Sequence, residues 1–216
     1  MIKKYSVHLP FFISMSFTGL LLVFRIFYSG SVMYLFLAWN LFLAWIPLVL
    51  SSYLAKSHQS KYLQWVLLAG WLLFFPNSLY IITDLVHLRE RQNVPLWFDS
   101  ILLVSAILNG MMMAYASLNK IENYLRLKFP QWKCNVILFT CFFLSSFGIY
   151  IGRFLRLNSW DIFTNPFYLG IEVMQRFIFP FEHPTTWGLT IILTIFFSVF
   201  YFSIKTIPAL ITKLDR

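Results

Sequence analysis

Trp71-Leu-Leu-Phe-Phe-Pro-Asn-Ser-Leu-Tyr-Ile-Ile-Thr-Asp-Leu-Val-His-Leu88 is the stretch on which the reading of this chain turns. It begins as unbroken apolar sequence of the kind that spans a bilayer. It then acquires Pro76, Asn77, Tyr80, Asp84 and His87 within a dozen residues. At about 100° per residue, Asn77, Tyr80, Asp84 and His87 of a continuous α-helix fall within an arc of roughly 80°. Polar and ionisable groups at membrane depth are costly, so such a stripe belongs against a bundle interior or a watery cavity. Proline removes a backbone donor and clashes with the carbonyl four residues earlier, so Pro76-Asn77 is expected to interrupt the helix. Breaks of this kind line substrate sites in transporters and are tolerated kinks in ordinary spans.

The rest of the chain has the same character. Of 216 residues, 59% are hydrophobic and 12% charged, with 25 Phe and 8 Trp, and the mean hydropathy is +0.72. A soluble domain does not carry that balance. A net charge of +9 could suggest nucleic acid, but no basic cluster sits on a soluble module, and no nucleic-acid partner is expected. Cys134 and Cys141 lie in one apolar run at a spacing that is neither a redox nor a disulfide pattern, so they read as packing residues. Met1-Ile-Lys-Lys4 before an apolar run resembles a signal peptide, but no small-residue cleavage site follows. It is read as a retained first helix.

A span needs about 20 mostly apolar residues. Six segments qualify: Leu9–Phe27, Val32–Leu54, Leu63–Ile82, Leu96–Ser117, Cys134–Ile151 and Trp187–Ile207. The expected fold is an all-α, polytopic membrane helix bundle of about six transmembrane helices, forming one integral membrane domain over 1–216. With the N-terminus inside, all nine Lys, Arg126 and Arg216 lie on the inner face against Glu122 and Asp215. The outer face then carries Arg25, Arg89, Arg91, Arg153, Arg156 and Arg176 against six acids. The positive-inside rule therefore predicts both termini inside. Lysine merely holds topology, whereas arginine is the planar fork suited to carboxylates and phosphates, so the outer face reads as a structured ionic site.

The longest outer connection runs from Gly152 to Thr186. Between Pro166 and Pro180, Glu172, Gln175 and Arg176 recur at i, i+3 and i+4 amid apolar residues. That pattern predicts a short interfacial or re-entrant helix.

Three motifs carry a family resemblance: Ala-Trp-Asn-Leu-Phe-Leu-Ala-Trp-Ile-Pro at 38–47, Phe-Pro-Asn-Ser-Leu-Tyr-Ile-Ile-Thr-Asp-Leu-Val-His-Leu at 75–88, and Gly-Arg-Phe-Leu-Arg-Leu-Asn-Ser-Trp-Asp at 152–161. Together they resemble the bacterial domain of unknown function family 1361, highly hydrophobic multi-pass membrane proteins. Ser78 stands where the family is expected to carry a small residue such as alanine. The resemblance implies the bacterial cytoplasmic (inner) membrane and lends no activity, so function has to come from the residues.

Asp84 and His87, at i and i+3, can share a proton or a metal. Asp99 and His183 fall on the same membrane side, and a mixed N/O ligand set can be drawn from the four. There is no HExxH and no cysteine ligand, so no metal is assigned, and the bland reading is an acid–imidazole pair capping a helix end. No cofactor is specified, since the four histidines lie at ends or in loops, unsuited to haem. Arg153 and Arg156, again at i and i+3, could clamp a phosphate on one helix face. They could equally neutralise Asp84, Asp99 and Asp161. Asn40 and Asn109, mid-span, read as interhelical hydrogen-bond glue. Trp39, Trp45, Trp65 and Trp71 default to core packing. Tyr80, Trp97, Trp160 and Trp187 read as an interfacial belt or a stacking surface.

The catalytic candidates are Asp84, His87, Arg153 and Arg156. The ligand-binding candidates are Asn77, Tyr80, Trp97, Asp99, Asn158, Trp160, Asp161 and His183. The functional expectation is a binding or transport protein for an anionic or lipid-like ligand in an outward-facing pocket. The alternatives are an enzyme acting on a lipid or isoprenoid-linked substrate, and an accessory subunit beside a membrane-protein partner. The lipid bilayer itself is the partner every reading shares.

Overall fold

The structure is a computed structural model that describes residues 8–56, 59–91, 94–157 and 161–214, with side chains from 9 to 207. It is all-α. The helices are α1 (His8–Ser29), α2 (Phe36–Leu54), α3 (Lys61–Tyr80), α4 (Leu96–Arg126), α5 (Gln131–Tyr150), α6 (Asp161–Thr164), α7 (Pro166–Ile178) and α8 (Pro184–Leu214). Among the described residues the extended pairing is a single bridge, Arg91 to Val94, in the turn before α4.

Among the described residues, six helical stretches are long and apolar enough to cross a membrane: Leu9–Ser29, Met33–Leu54, Lys61–His87, Leu96–Arg126, Gln131–Leu155 and Pro184–Ile207. These are the six expected segments, several extended at their ends. The protein is a multi-pass membrane protein. Large apolar side chains are exposed along every span, the surface that lipid requires and water would penalise.

The chain divides into two compact units, Met1–Lys120 and Ile121–Arg216. In the first, α1 stops because Gly30 takes a left-handed φ of +64° and its N–H returns to the Ile26 carbonyl at 2.8 Å. A 3₁₀ turn, Met33–Leu35, then leads into α2. Helix α3 packs along α2, with the Ser78 hydroxyl donating to the Ala44 carbonyl at 2.9 Å. Helix α4 crosses α3 at Gly110, where an added Cβ would lie 2.8 Å from Ile81 Cδ1 and 3.1 Å from the Ser78 carbonyl. The core gathers Leu37, Leu41, Ala44, Ile81, Leu102, Leu103, Ala106 and Met113.

Helix α3 runs through Pro76 without interruption and changes pitch only after Tyr80, where Ile81–His87 winds as 3₁₀ helix. The expected break at Pro76-Asn77 is therefore corrected: Pro76 lies inside α3, and the Asn77 amide donates to its own helix at the Phe74 carbonyl, 3.0 Å away. In a 3₁₀ helix side chains three apart eclipse one another. Ile81, Asp84 and His87 thus share one line, inward or half-inward, while Leu85 and Val86 are exposed. The same change of pitch carries Tyr80 off that line, so the four-residue stripe drawn on a uniform α-helix narrows to Asp84 and His87.

In the second unit, α5 packs on α8, with the Phe142 and Tyr201 rings edge-on at 5.8 Å; Cys134, Leu138 and Cys141 on α5 and Phe197 on α8 are buried too. The two cysteines are free and buried packing residues, as expected. The buried face of α8 also carries Thr186, Thr190 and Thr194. The hydroxyls of Thr190 and Thr194 donate to carbonyls one turn back, at 2.7 and 2.6 Å. Small residues at such a face allow close helix approach in lipid, where hydrophobicity cannot drive association.

The expected short helix is present as α7, and its amphipathicity is inverted. Phe167, Ile171, Met174 and Ile178 are exposed, whereas Arg176 is 5% exposed. The Arg176 Nη1 donates to the Glu172 carbonyl at 2.6 Å and to Glu172 Oε2 at 2.7 Å. Its carbonyl accepts from Trp187 Nε1 at 3.2 Å. A helix with charge inward and phenylalanine outward suits a lipid surrounding.

Candidate functional site

The first unit gathers an ionic cluster where α1 ends, α2 begins and α4 begins. Ser29 and Gly30 end α1 just after Arg25, and the Met33–Leu35 turn brings Tyr34 back over it. Arg25 Nε donates to Asp99 Oδ1 at 2.6 Å and Nη2 to Oδ2 at 3.2 Å. Asp99 sits in the first turn of α4, where the helix dipole also favours a carboxylate. The Arg91–Val94 bridge holds Arg91 beside it, with Nε 3.9 Å from Asp99 Oδ2.

Both guanidiniums lie over the Tyr34 ring, Arg25 at 5.3 Å and Arg91 at 5.2 Å from its centroid. Its hydroxyl, beside Asp99, donates to the His87 carbonyl at 3.3 Å. The His87 imidazole is tilted against Phe36 with centroids 4.9 Å apart. One turn further along each element, Asn40 Nδ2 donates to Asp84 Oδ2 at 2.8 Å. Phe36 and Asn40 on α2 thus face His87 and Asp84 on the 3₁₀ helix, rung for rung.

The structure therefore brings three of the expected residues, Asp84, His87 and Asp99, into one cluster with Arg25, Tyr34, Asn40 and Arg91. These last four carry most of the contacts and were not singled out as site residues. From sequence alone Arg25 and Arg91 read only as outer-face charges, and Asn40 as glue. Asn40 is interhelical glue, and it is also the amide that holds Asp84. Asn109 is glue alone: its Nδ2 donates to Thr18 Oγ1 at 2.8 Å and to the Ser105 carbonyl at 3.0 Å. Trp97 points away, 63% exposed, and Tyr80 is half-buried off the Asp84 line.

In the second unit the geometry of Arg153 and Arg156 differs from that expected. The end of α5 widens into a π-turn over Ile151–Leu155, and Arg156 caps it in the left-handed region at φ 58°, ψ 30°. The two arginines therefore do not share an α-helical face. A non-glycine residue in that region stores about 1 kcal/mol or more of strain, and π-turns recur at functional sites. Asp161 starts α6 and accepts from the Thr164 hydroxyl at 2.9 Å. His183 lies half-buried between the Pro180–Glu182 turn and α8. Asn158 and Trp160 lie outside the described residues.

Trp187 is not part of an exposed belt. It stacks on Phe143 and Phe147 at 6.3 and 5.7 Å and meets Phe177 edge-on at 5.1 Å. Trp39, Trp45 and Trp65 are likewise corrected. They are 52%, 48% and 71% exposed and face outward, whereas Trp71 is buried on Phe75, its Nε1 donating to the Ser117 hydroxyl at 2.7 Å.

Chemically, the cluster of the first unit is better supplied with donors than with open ligands. Both carboxylates already accept from nitrogen donors. Among the described residues no group of three or more His, Cys, Asp or Glu side chains is placed to hold a metal ion. Arg91 is the group with capacity to spare. It is 22% exposed as a side chain, and its buried Nε has no hydrogen-bond partner among the described residues. Its other contacts are a long bond from Nη2 to the His87 carbonyl at 3.4 Å and the weak sulfur acceptor of Met33.

A family model described as "Protein of unknown function (DUF1361)" matches residues 39–200. No curated protein and no solved structure matches the chain.

Proposed function

On the premise that this chain belongs to the DUF1361 family, a membership that assigns no chemistry, we propose that it is a membrane-embedded binding protein for an anionic, lipid-like ligand. The observation that carries the reading is the under-used guanidinium of Arg91. Arg25 takes both oxygens of Asp99, so Asp99 is neutralised without Arg91. That leaves a second, partly exposed guanidinium stacked on Tyr34. Asp84 is held by Asn40 one turn deeper, so Arg91 is not consumed by either carboxylate, and a planar fork with N–H groups to spare suits phosphate or carboxylate. The half-buried His87, and Asp84 one turn deeper, form the wall behind it. In the second unit, Arg153 and the strained Arg156, with Asp161 and His183, are proposed as a separate group of binding residues. The proposed setting is a bacterial cytoplasmic membrane with both termini inside, 1–216 acting as one domain and the Arg91 mouth on the outer side.

Binding is favoured over transport because the mid-span polar groups a path would use, Asn40 and Asn109, are both engaged between helices. It is favoured over catalysis because Asp84, the best general base on paper, is buried and held by Asn40.

The test is binding of dodecyl phosphate to the purified chain, followed by intrinsic tryptophan fluorescence. Arg91→Gln removes one charge-assisted contact worth about 1.5–3 kcal/mol. It is expected to weaken binding by about tenfold or more, with the helical content unchanged. Equal affinity in the variant, or no saturable binding by the wild type, would sink the proposal.

A further inference from the structure

The second unit carries a different cluster, built on Glu122. This carboxylate is 1% exposed and accepts from three side chains. Arg126 donates to its Oε1 through Nε at 3.0 Å and Nη2 at 2.7 Å. Lys205 Nζ donates to Oε1 and Oε2, the latter at 2.6 Å, and the Tyr201 hydroxyl donates to Oε2 at 2.5 Å. Glu122 and Arg126 are one turn apart near the end of α4, as are Tyr201 and Lys205 on α8. The carboxylate thus fixes a cation from each helix on one oxygen, which holds the two charges about 5 Å apart or closer.

One carboxylate needs one cation, and here it has two. The surplus is outward: Arg126 is 46% exposed and Lys205 23%. Arg126 reaches Glu122 through Nε and Nη2, so its Nη1 is not taken up by that carboxylate. The turn that follows α4 is tightly closed, with the N–H groups of Lys128 and Phe129 returning to the Leu125 carbonyl at 2.9 and 2.8 Å. It presents cations and apolar side chains in alternation: Leu127 is 87% exposed and Trp132 63%. Lys128 lies over the Tyr124 ring and Lys133 over the Trp132 ring, at 4.2 and 5.4 Å. Arg126 and Lys205 fall at or near the ends of their membrane spans, the depth at which lipid phosphates lie.

We infer that the Arg126–Lys205 pair, held by Glu122 and flanked by Lys128, Trp132 and Lys133, is a binding site for the phosphate of an anionic phospholipid of the leaflet at that end of the bundle. The paired cations take the phosphate oxygens, and Leu127 and Trp132 enter the acyl boundary beside the lipid. Basic pockets between helix ends suit anionic headgroups, and aromatic side chains favour the interface. Glu122 is a positioning residue that spends acceptor capacity so that two like charges can stay together. This inference uses other residues in the other unit and stands apart from the Arg91 reading.

The experiment is native mass spectrometry of the full chain, purified in detergent and offered equal amounts of phosphatidylglycerol and phosphatidylcholine of the same acyl chains. Each basic group near a membrane surface favours anionic lipid by about 1 kcal/mol, so retention of phosphatidylglycerol should exceed that of phosphatidylcholine by about fivefold or more. Arg126→Gln should bring the ratio close to one. The double variant Lys128→Gln/Lys133→Gln leaves the Glu122 contacts untouched and should lower the ratio partway, and it decides the matter if Arg126→Gln fails to fold. A wild-type ratio near one would overturn the inference. So would an equal loss on Lys61→Gln in the first unit, which would mean delocalised charge. Displacement of the lipid by inorganic phosphate would also overturn it, showing a site for free anion.

Discussion

Arg25 and Asp99, 74 positions apart, form a two-pronged ion pair with both side chains almost wholly buried, 3% and 1% exposed. Breaking such a pair from one side leaves an uncompensated charge and costs about 3–5 kcal/mol, whereas replacing both partners with apolar groups is often close to neutral. Arg25→Met is therefore expected to lower stability by about that amount, because Arg91, 3.9 Å away, is a poor substitute. The double variant Arg25→Met/Asp99→Leu should recover most of the loss. Unfolding midpoints in mixed detergent micelles measure both, and a double variant as unstable as the single one would contradict the argument.

Gly110 is where α4 passes the end of α3. A methyl group there would meet Ile81 Cδ1 at 2.8 Å and the Ser78 carbonyl at 3.1 Å, and the backbone oxygen cannot rotate aside. Gly110→Ala should cost about 1–3 kcal/mol as overpacking. Gly19→Ala, with nothing within 4 Å, should be neutral or stabilising through helix propensity, by up to about 1 kcal/mol. The same unfolding assay separates the two, and equal effects would mean that the close approach is not what glycine serves.

The six spans and α7 were legible because both signals are local. Hydropathy over about 20 residues marks a span, and two prolines bracketing a period-3.6 pattern mark a short helix. Asp84, His87 and Asp99 stood out because charge inside apolar sequence is rare. Their partners were not legible. Arg25 reaches Asp99 only through the packing of α1 on α4, and nothing local to Arg25 announces it. The 3₁₀ winding of Ile81–His87 was hidden too. It moves Tyr80 off the line while leaving Asp84 above His87, a difference of pitch that residue types do not encode. The same holds for the π-turn that separates Arg153 from Arg156. Trp39, Trp45 and Trp65 were misplaced because large apolar residues suit a core and a lipid-facing surface equally.

Asn40 and Asn109 look alike in sequence but should differ in worth. Asn40 donates to a buried carboxylate at 2.8 Å, and Asn40→Leu takes that donor from Asp84, at a cost of about 1–3 kcal/mol. Asn109 donates to a hydroxyl and to backbone carbonyls. The Thr18 hydroxyl that it reaches also bonds to the Ser14 carbonyl at 3.2 Å. Asn109→Leu should then cost about 0.6 kcal/mol, the usual worth of such contacts in membranes. A larger loss at Asn109 than at Asn40 would contradict this ordering.

The inverted helix α7 makes a prediction about its surroundings. Ile171, Met174 and Ile178 are exposed on one face, while Glu172 and Arg176 turn inward to each other at 2.7 Å. If lipid covers that face, spin labels on Ile171→Cys and Met174→Cys should be more accessible to oxygen than to a water-soluble nickel chelate. A label on Glu182→Cys, in the turn after α7, should show the reverse. The native thiols do not interfere, because Cys134 and Cys141 are buried. Ile171→Lys should be destabilising, but only by up to about 1 kcal/mol, since a lysine near the interface can carry its charge to the headgroups. Equal chelate access at 171, 174 and 182 would place α7 in water and leave its outward phenylalanines without a physical account.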